Sequence, residues 1–181
     1  NTAVGVDAGL SVTTGVKNTI MGTFAGDALT SGGSNILVGY NSGTAITTGE
    51  QNAIFGTLAG EDLTEGNNNV ALGTQTLRND TLGSRSVAIG LNALETQNFT
   101  SATDVYNTAV GALAGTAITT GSDNTLIGGL AGDALTTGSL NTAVGKNALG
   151  ADTKGSRSIA IGRMALGTQY FTSAADTYNV A

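Results

Sequence analysis

Ten times along 181 residues the chain returns to the pattern Asn/Ser-x-x-apolar-Gly, starting at Asn1, Asn18, Asn35, Asn52, Asn69, Ser86, Asn107, Asn124, Asn141 and Ser158. Eight units are 17 residues long, and those beginning at Ser86 and Ser158 are 21. Residues 35–106 match 107–178 at an offset of 72, and the two long units agree at 14 of 21 positions. A fixed period of this length restricts the chain to a stack of similar units, each burying its apolar side against its neighbours. Seventeen residues cannot hold two helices and a turn, and no i, i+3, i+4 apolar pattern occurs. Short β-runs separated by Gly fit. The sequence therefore predicts an all-β parallel β-roll or β-solenoid of about ten coils. It is a single rod over 1–181, with short coils at 1–85 and 107–157 and long coils at 86–106 and 158–178.

The frame positions have separate meanings. Position 4 is always apolar: Val4, Met21, Val38, Phe55, Leu72, Ile89, Val110, Ile127, Val144 and Ile161. Position 5 is always Gly, and positions 5, 9 and 15 together hold 24 of the 28 glycines. Gly confined to fixed places marks a backbone turn or a close approach rather than a flexible linker. One rung would be a strand of about four or five residues, a Gly turn, and a second short strand near positions 11–14. At ordinary strand spacing, ten rungs make a rod of ~48 Å. Asn at position 1 and Thr at position 13 would form ladders between rungs.

Position 3 is apolar as well: Ala3, Ile20, Leu37, Ile54, Ala71, Ala88, Ala109, Leu126, Ala143 and Ala160. Successive strand residues face opposite ways. With position 4 inward, position 3 would form an outward apolar row that needs cover. A thin coil of small side chains also buries little area against its ordering cost. Both arguments predict a homo-oligomer.

The strings NTAVG at 1–5, 107–111 and 141–145, with SVAIG at 86–90 and SIAIG at 158–162, resemble the head repeats of trimeric autotransporter adhesins (YadA-like heads). The recurring NTAVGxxAGxxxTTGxx is similar to repeats in bacteriophage tail fibres. The resemblance covers the whole chain. It implies a left-handed roll intertwined as a homotrimer and an extracellular location, on a virion or a bacterial cell surface. The 17-residue period is longer than the usual adhesin repeat, and that departure favours a phage tail fibre over an adhesin head. The chain opens and closes on repeat boundaries (Asn1; Asn179-Val180-Ala181), which leads to the expectation that it belongs to a longer protein.

Composition narrows the chemistry. With no His and no Cys, the commonest general base, the thiol nucleophile and the usual zinc ligands are missing. No phosphate-binding or dinucleotide Gly motif occurs. The reading is a structural and binding element rather than an enzyme, with no catalytic residue, metal ligand or cofactor assigned. The net charge of −6 disfavours nucleic acid as a partner. No apolar run reaches membrane-spanning length, so no membrane insertion by this segment is expected. A host surface glycan or protein receptor remains as an outside partner. Glu61, Asp62 and Glu65 form the one acidic cluster, read as a solvated turn.

Two features mark candidate sites. Asp80 and Asp152 replace the apolar residue of position 12, each one rung before a long coil, and each is followed by Gly-Ser-Arg-Ser containing Arg85 or Arg157. An ion pair or turn cap at the edge of a widened rung is the reading. The long coils also carry Phe99, Tyr106, Tyr170, Phe171 and Tyr178, five of the eight aromatics. These are candidates for receptor contact or for an interlock between chains. An ice-binding surface on the Thr13 ladder and a carbohydrate-active enzyme are the remaining alternatives.

Overall fold

A computed structural model describes all residues, 1–181. The chain is all-strand and turn, without a helix, wound into a parallel β-solenoid of ten coils. Each coil contributes one three-residue strand at positions 2–4. The first five are β1 (Thr2–Val4), β2 (Thr19–Met21), β3 (Ile36–Val38), β4 (Ala53–Phe55) and β5 (Val70–Leu72). After the two-residue β6 (Gly83–Ser84) come β7 (Val87–Ile89), the two-residue β8 (Thr103–Asp104), β9 (Thr108–Val110), β10 (Thr125–Ile127) and β11 (Thr142–Val144). β12 (Gly155–Ser156), β13 (Ile159–Ile161) and β14 (Ala175–Asp176) complete the chain. The ten long strands form one parallel sheet in chain order, frame position against frame position.

The expected second strand at positions 11–14 does not form. Only 20 of the 110 backbone–backbone hydrogen bonds lie within strands. The turns are laddered too: in coil 1, Gly9, Ser11 and Thr13 donate their N–H groups to Ala25, Asp27 and Thr30 one rung on. Paired strands outside the main sheet occur only at the long coils, as β6–β8 and β12–β14.

The inward face is the reverse of the expected one. Position 3 points into the coil: Ile20, Leu37, Ile54, Ala71, Ala88, Ala109, Leu126, Ala143 and Ala160 are buried. Position 4 points out, with Val4 55% and Ile161 63% exposed at the two ends and Phe55 36% exposed between them. The lumen is narrow, and residue sizes are matched across it. Where position 3 is Ile or Leu (Ile20, Leu37, Ile54, Leu126), position 9 is Gly. A Cβ on Gly43, Gly60 or Gly132 would lie within 2.9 Å of Leu37, Ile54 or Leu126 in the same coil, and one on Gly9 within 2.8 Å of Ile20 in the next. Where position 3 is Ala before a Leu (Ala71/Leu77, Ala88/Leu94, Ala143/Leu149), the Leu fills the same space and is fully buried. Buried position-12 residues such as Leu29, Ile46, Leu63, Ile118 and Leu135 complete this core.

Glycine is required at position 5 for two reasons. Its φ lies between 123° and 145°, and a Cβ on Gly56 would come within 2.3 Å of the Gly73 carbonyl oxygen. Other turn positions are less selective. Position 7 is left-handed in every coil whether it holds Asp7, Phe24, Asn41, Leu58 or Met164.

The Asn column is the main polar spine. Asn18 donates through Nδ2 to the Gly32 carbonyl at 2.9 Å, and its Oδ1 accepts the Asn35 N–H at 2.9 Å. The same pair of bonds repeats at Asn35, Asn52, Asn69, Asn124 and Asn141. These buried amides satisfy backbone groups that no strand partner reaches.

Candidate functional site

The long coils are where the uniform stack is interrupted, and the interruption is handled inside the rod by one polar network. In ordinary coils the position-15 amide can reach a neighbouring carbonyl: Gly15, Gly32 and Gly121 donate to Thr30, Thr47 and Thr136. Ahead of a 21-residue coil, Gly83 and Gly155 donate instead to the carboxylates of Asp80 (3.1 Å) and Asp152 (3.0 Å). Asp80 is fully buried. It also accepts the Phe99 N–H at 3.1 Å and the Gln97 Nε2–H at 2.6 Å. Gln97 bonds Ser86 Oγ and accepts from Asn107 Nδ2, so it stands in for the Asn missing at position 1 of this coil. Asp152, Gln169, Ser158 and Asn179 repeat the arrangement.

Asp80 and Asp152 are therefore turn caps, and neither is ion-paired with the Arg that follows it. The arginines reach one rung further. Arg85 Nε lies 2.9 Å from Asp104, and Arg157 Nε lies 3.2 Å from Asp176. The strand pairs β6–β8 and β12–β14 bring these acids alongside. The Asp104 hydrogen bond holds the Arg85 guanidinium above its ordinary pKa, with the negative charge of Asp104 adding to it. Each Arg also lies over a tyrosine ring, 5.8 Å from Tyr106 and 5.7 Å from Tyr178.

The aromatics thus divide. Phe99 is buried and Phe171 is half-buried at the equivalent place. Tyr106 (52%), Tyr178 (67%) and Tyr170 are exposed. Three consecutive residues in the lengthened part of each long coil, Thr100-Ser101-Ala102 and Thr172-Ser173-Ala174, are exposed on the outside of the rod.

Three surfaces remain for contact with other molecules. The first is the outer face of the ten-stranded sheet. Its position-4 column is apolar on every rung, and Ile36 and Ile159 widen it at position 2. The second is a polar groove of about 330 Å³ on the corner that precedes the strands. Glu50, Asn67 and Ser84 at position 16 and Gln51, Asn68 and Arg85 at position 17 form it over three rungs. Thr48 and Asp104 close its ends, and no hydrophobic residue lines it. The third is the Thr13 column, but its hydroxyls already donate to carbonyls one rung on, as Thr30 does to Thr47 and Thr136 to Thr153.

The acidic turn is tied to its neighbour, since Glu61 bonds Arg78 Nε at 2.7 Å. No three His, Cys, Asp or Glu side chains converge as a metal site would need. Sequence reasoning missed the groove residues and the Gln97 and Gln169 keys. A usable signal existed for the groove: Glu50-Gln51, Asn67-Asn68 and Ser84-Arg85 occupy identical frame positions on consecutive coils. Comparison of the chain with protein-family models, curated proteins and solved structures finds no match.

Proposed function

We propose that this chain is a rod-forming segment of a multi-chain surface fibre, assembled as a homotrimer, with a bacteriophage tail fibre as its setting. The observation that carries the reading is the apolar position-4 column, unbroken over all ten rungs on the open face of the sheet. A contiguous apolar face of that length marks an interaction surface. Its period equals that of the rod, so a second copy in the same register meets every rung alike.

The 17-residue coil with 21-residue interruptions favours the tail-fibre setting over an adhesin head. Ice binding is disfavoured because the Thr hydroxyl protons are committed to carbonyls. The stacked Arg–Tyr corners and the groove give such a rod places to touch a receptor. The test is sedimentation velocity across a micromolar dilution series. A discrete trimer that Leu72→Glu together with Ile127→Glu reduces to monomer is the expected result. A wild-type chain that stays a folded monomer throughout would overturn the reading.

A further inference from the structure

The groove at coils 3–5 has the makings of a ligand site. Two side chains in it are committed to the fold: Asn67 Oδ1 accepts the Glu50 N–H at 2.7 Å, and Ser84 Oγ accepts the Asn67 N–H at 2.9 Å. The side-chain amides of Gln51 and Asn68 and the Glu50 carboxylate make no hydrogen bond within the chain, and all face the groove. Their backbones are pinned. Gln51 and Asn68 are left-handed (φ 58° and 59°), and their N–H groups bond Gly33 and Glu50 one rung back. Donors and acceptors on a rigid backbone, presented rung after rung, fit a ligand that carries hydroxyl groups at regular intervals.

The charge pattern narrows the class. Glu50 and Asp104 are acidic, and the single cation, Arg85, is already bonded to Asp104. No free cation is left for a carboxylate, sulfate or phosphate, and Glu50 repels one. Hydroxyls suit both the carboxylate, as acceptor, and the amides, as donor and acceptor at once. The position-17 column continues past Arg85 to Tyr106, but the Arg85 guanidinium lies over that ring at 5.8 Å and Tyr106 does not line the groove, so the floor is wholly polar. Successive rungs lie ~4.8 Å apart, so the three-rung floor spans ~10 Å along the rod. We propose that this groove binds a neutral, unbranched oligosaccharide lying along the rod axis, held by Gln51, Asn68 and Glu50.

The chain contains its own control. Seventy-two residues on, the same frame positions hold Asp123 for Gln51, Leu140 for Asn68 and Ser122 for Glu50, while Arg157, Asp176 and Tyr178 are retained. No cavity forms there. One site per chain is therefore expected. The substitution Asn68→Leu copies a residue already accommodated at the equivalent left-handed position, since Leu140 has φ 61°. The groove supplies the receptor-contacting part of the proposed fibre and relies on that reading only for its setting.

The test is calorimetry and saturation-transfer NMR on the whole chain. The probes are neutral linear hexasaccharides of gluco, manno and galacto configuration, with a hexagalacturonate as the anionic arm. A neutral sugar should bind at one site per chain, the anionic one should bind at least tenfold more weakly, and Asn68→Leu should reduce binding roughly tenfold or more. Absence of binding by every neutral probe overturns the proposal, as do two sites per chain, preference for the anionic sugar, or unchanged affinity in Asn68→Leu. Sedimentation of the same samples separates this from the fibre reading. A sugar-binding monomer keeps the groove and sinks the fibre, and a trimer that binds no probe does the reverse.

Discussion

Replacing Asp80 with Leu puts into coil 5 the residue that Leu29, Leu63 and Leu135 supply at the same frame position. By the hydrophobic pattern alone the change should stabilise the rod. The network says otherwise. Loss of the carboxylate leaves the Gly83 N–H, the Phe99 N–H and one Gln97 amide hydrogen without their acceptor. Each unsatisfied buried donor costs ~1–3 kcal/mol, and burying the Leu side chain returns ~1.5–3. The expected net loss is ~2–5 kcal/mol in urea unfolding followed by circular dichroism. Asp80→Asn keeps an oxygen for the two backbone donors but turns an NH₂ toward the Gln97 amide, so a smaller loss of ~1–2 kcal/mol is expected. Asp152→Leu should act in the same direction but less strongly, because its partners Gln169 and Phe171 are only half-buried. An Asp80→Leu chain as stable as its parent would refute the claim that this carboxylate replaces the carbonyl a long coil cannot offer.

Two further outcomes follow from the buried polar groups. Asn35→Ala removes the donor to the Gly49 carbonyl and the acceptor of the Asn52 N–H, and it should cost ~2–4 kcal/mol in the same unfolding assay; a loss below ~0.5 kcal/mol would mean that the Asn column is not a spine. Asp133 has a buried Oδ1 without a partner, and burial raises its carboxyl pKa, opposed in part by a backbone hydrogen bond. The folded chain therefore holds this proton to higher pH than the unfolded chain does. That stability is complete below the ordinary carboxylate value near ~3.9 and is lost as pH rises through the higher folded value. Asp133→Asn should flatten the decline in urea midpoint above about pH 4 and raise the midpoint slightly at neutral pH, whereas an unchanged pH profile would exclude Asp133 as its source.

The period, the ten coils, the parallel stacking and the Asn and Thr ladders were legible because each repeats at one offset. Which apolar column faces inward was not, because positions 3 and 4 are both apolar and alternation marks only that they differ in face. The decisive signal was the exchange of size between positions 3 and 9, as in Ile54 with Gly60 against Ala71 with Leu77. Only residues sharing one confined space need to trade volume. The turns were legible only in part. Gly at positions 5 and 9 does mark positive φ, yet 24 non-Gly residues adopt it as well, a feature the residue types do not display. The Asp80–Arg85 pairing rested on closeness in the chain. In a solenoid the nearer partner is one rung away, and Arg85 finds Asp104.

The reversal of the inward face also changes the argument for assembly. Had position 4 filled the lumen, the outer row would have been position 3, six of whose ten residues are Ala. The outer row is instead the bulkier one, with Met21, Phe55, Leu72, Ile127 and Ile161 exposed along it. At ~25 cal/mol per Å² of apolar surface, a column of large side chains yields far more on association than a column of Ala. Between these two columns, the one with more small residues lines the narrow coil beside the buried Leu and Ile of positions 9 and 12, and the bulkier one faces out. Within a single rod, cohesion comes from the buried Leu, Ile and Ala of the lumen together with the backbone and Asn ladders; the position-4 column adds a second apolar surface on the outside.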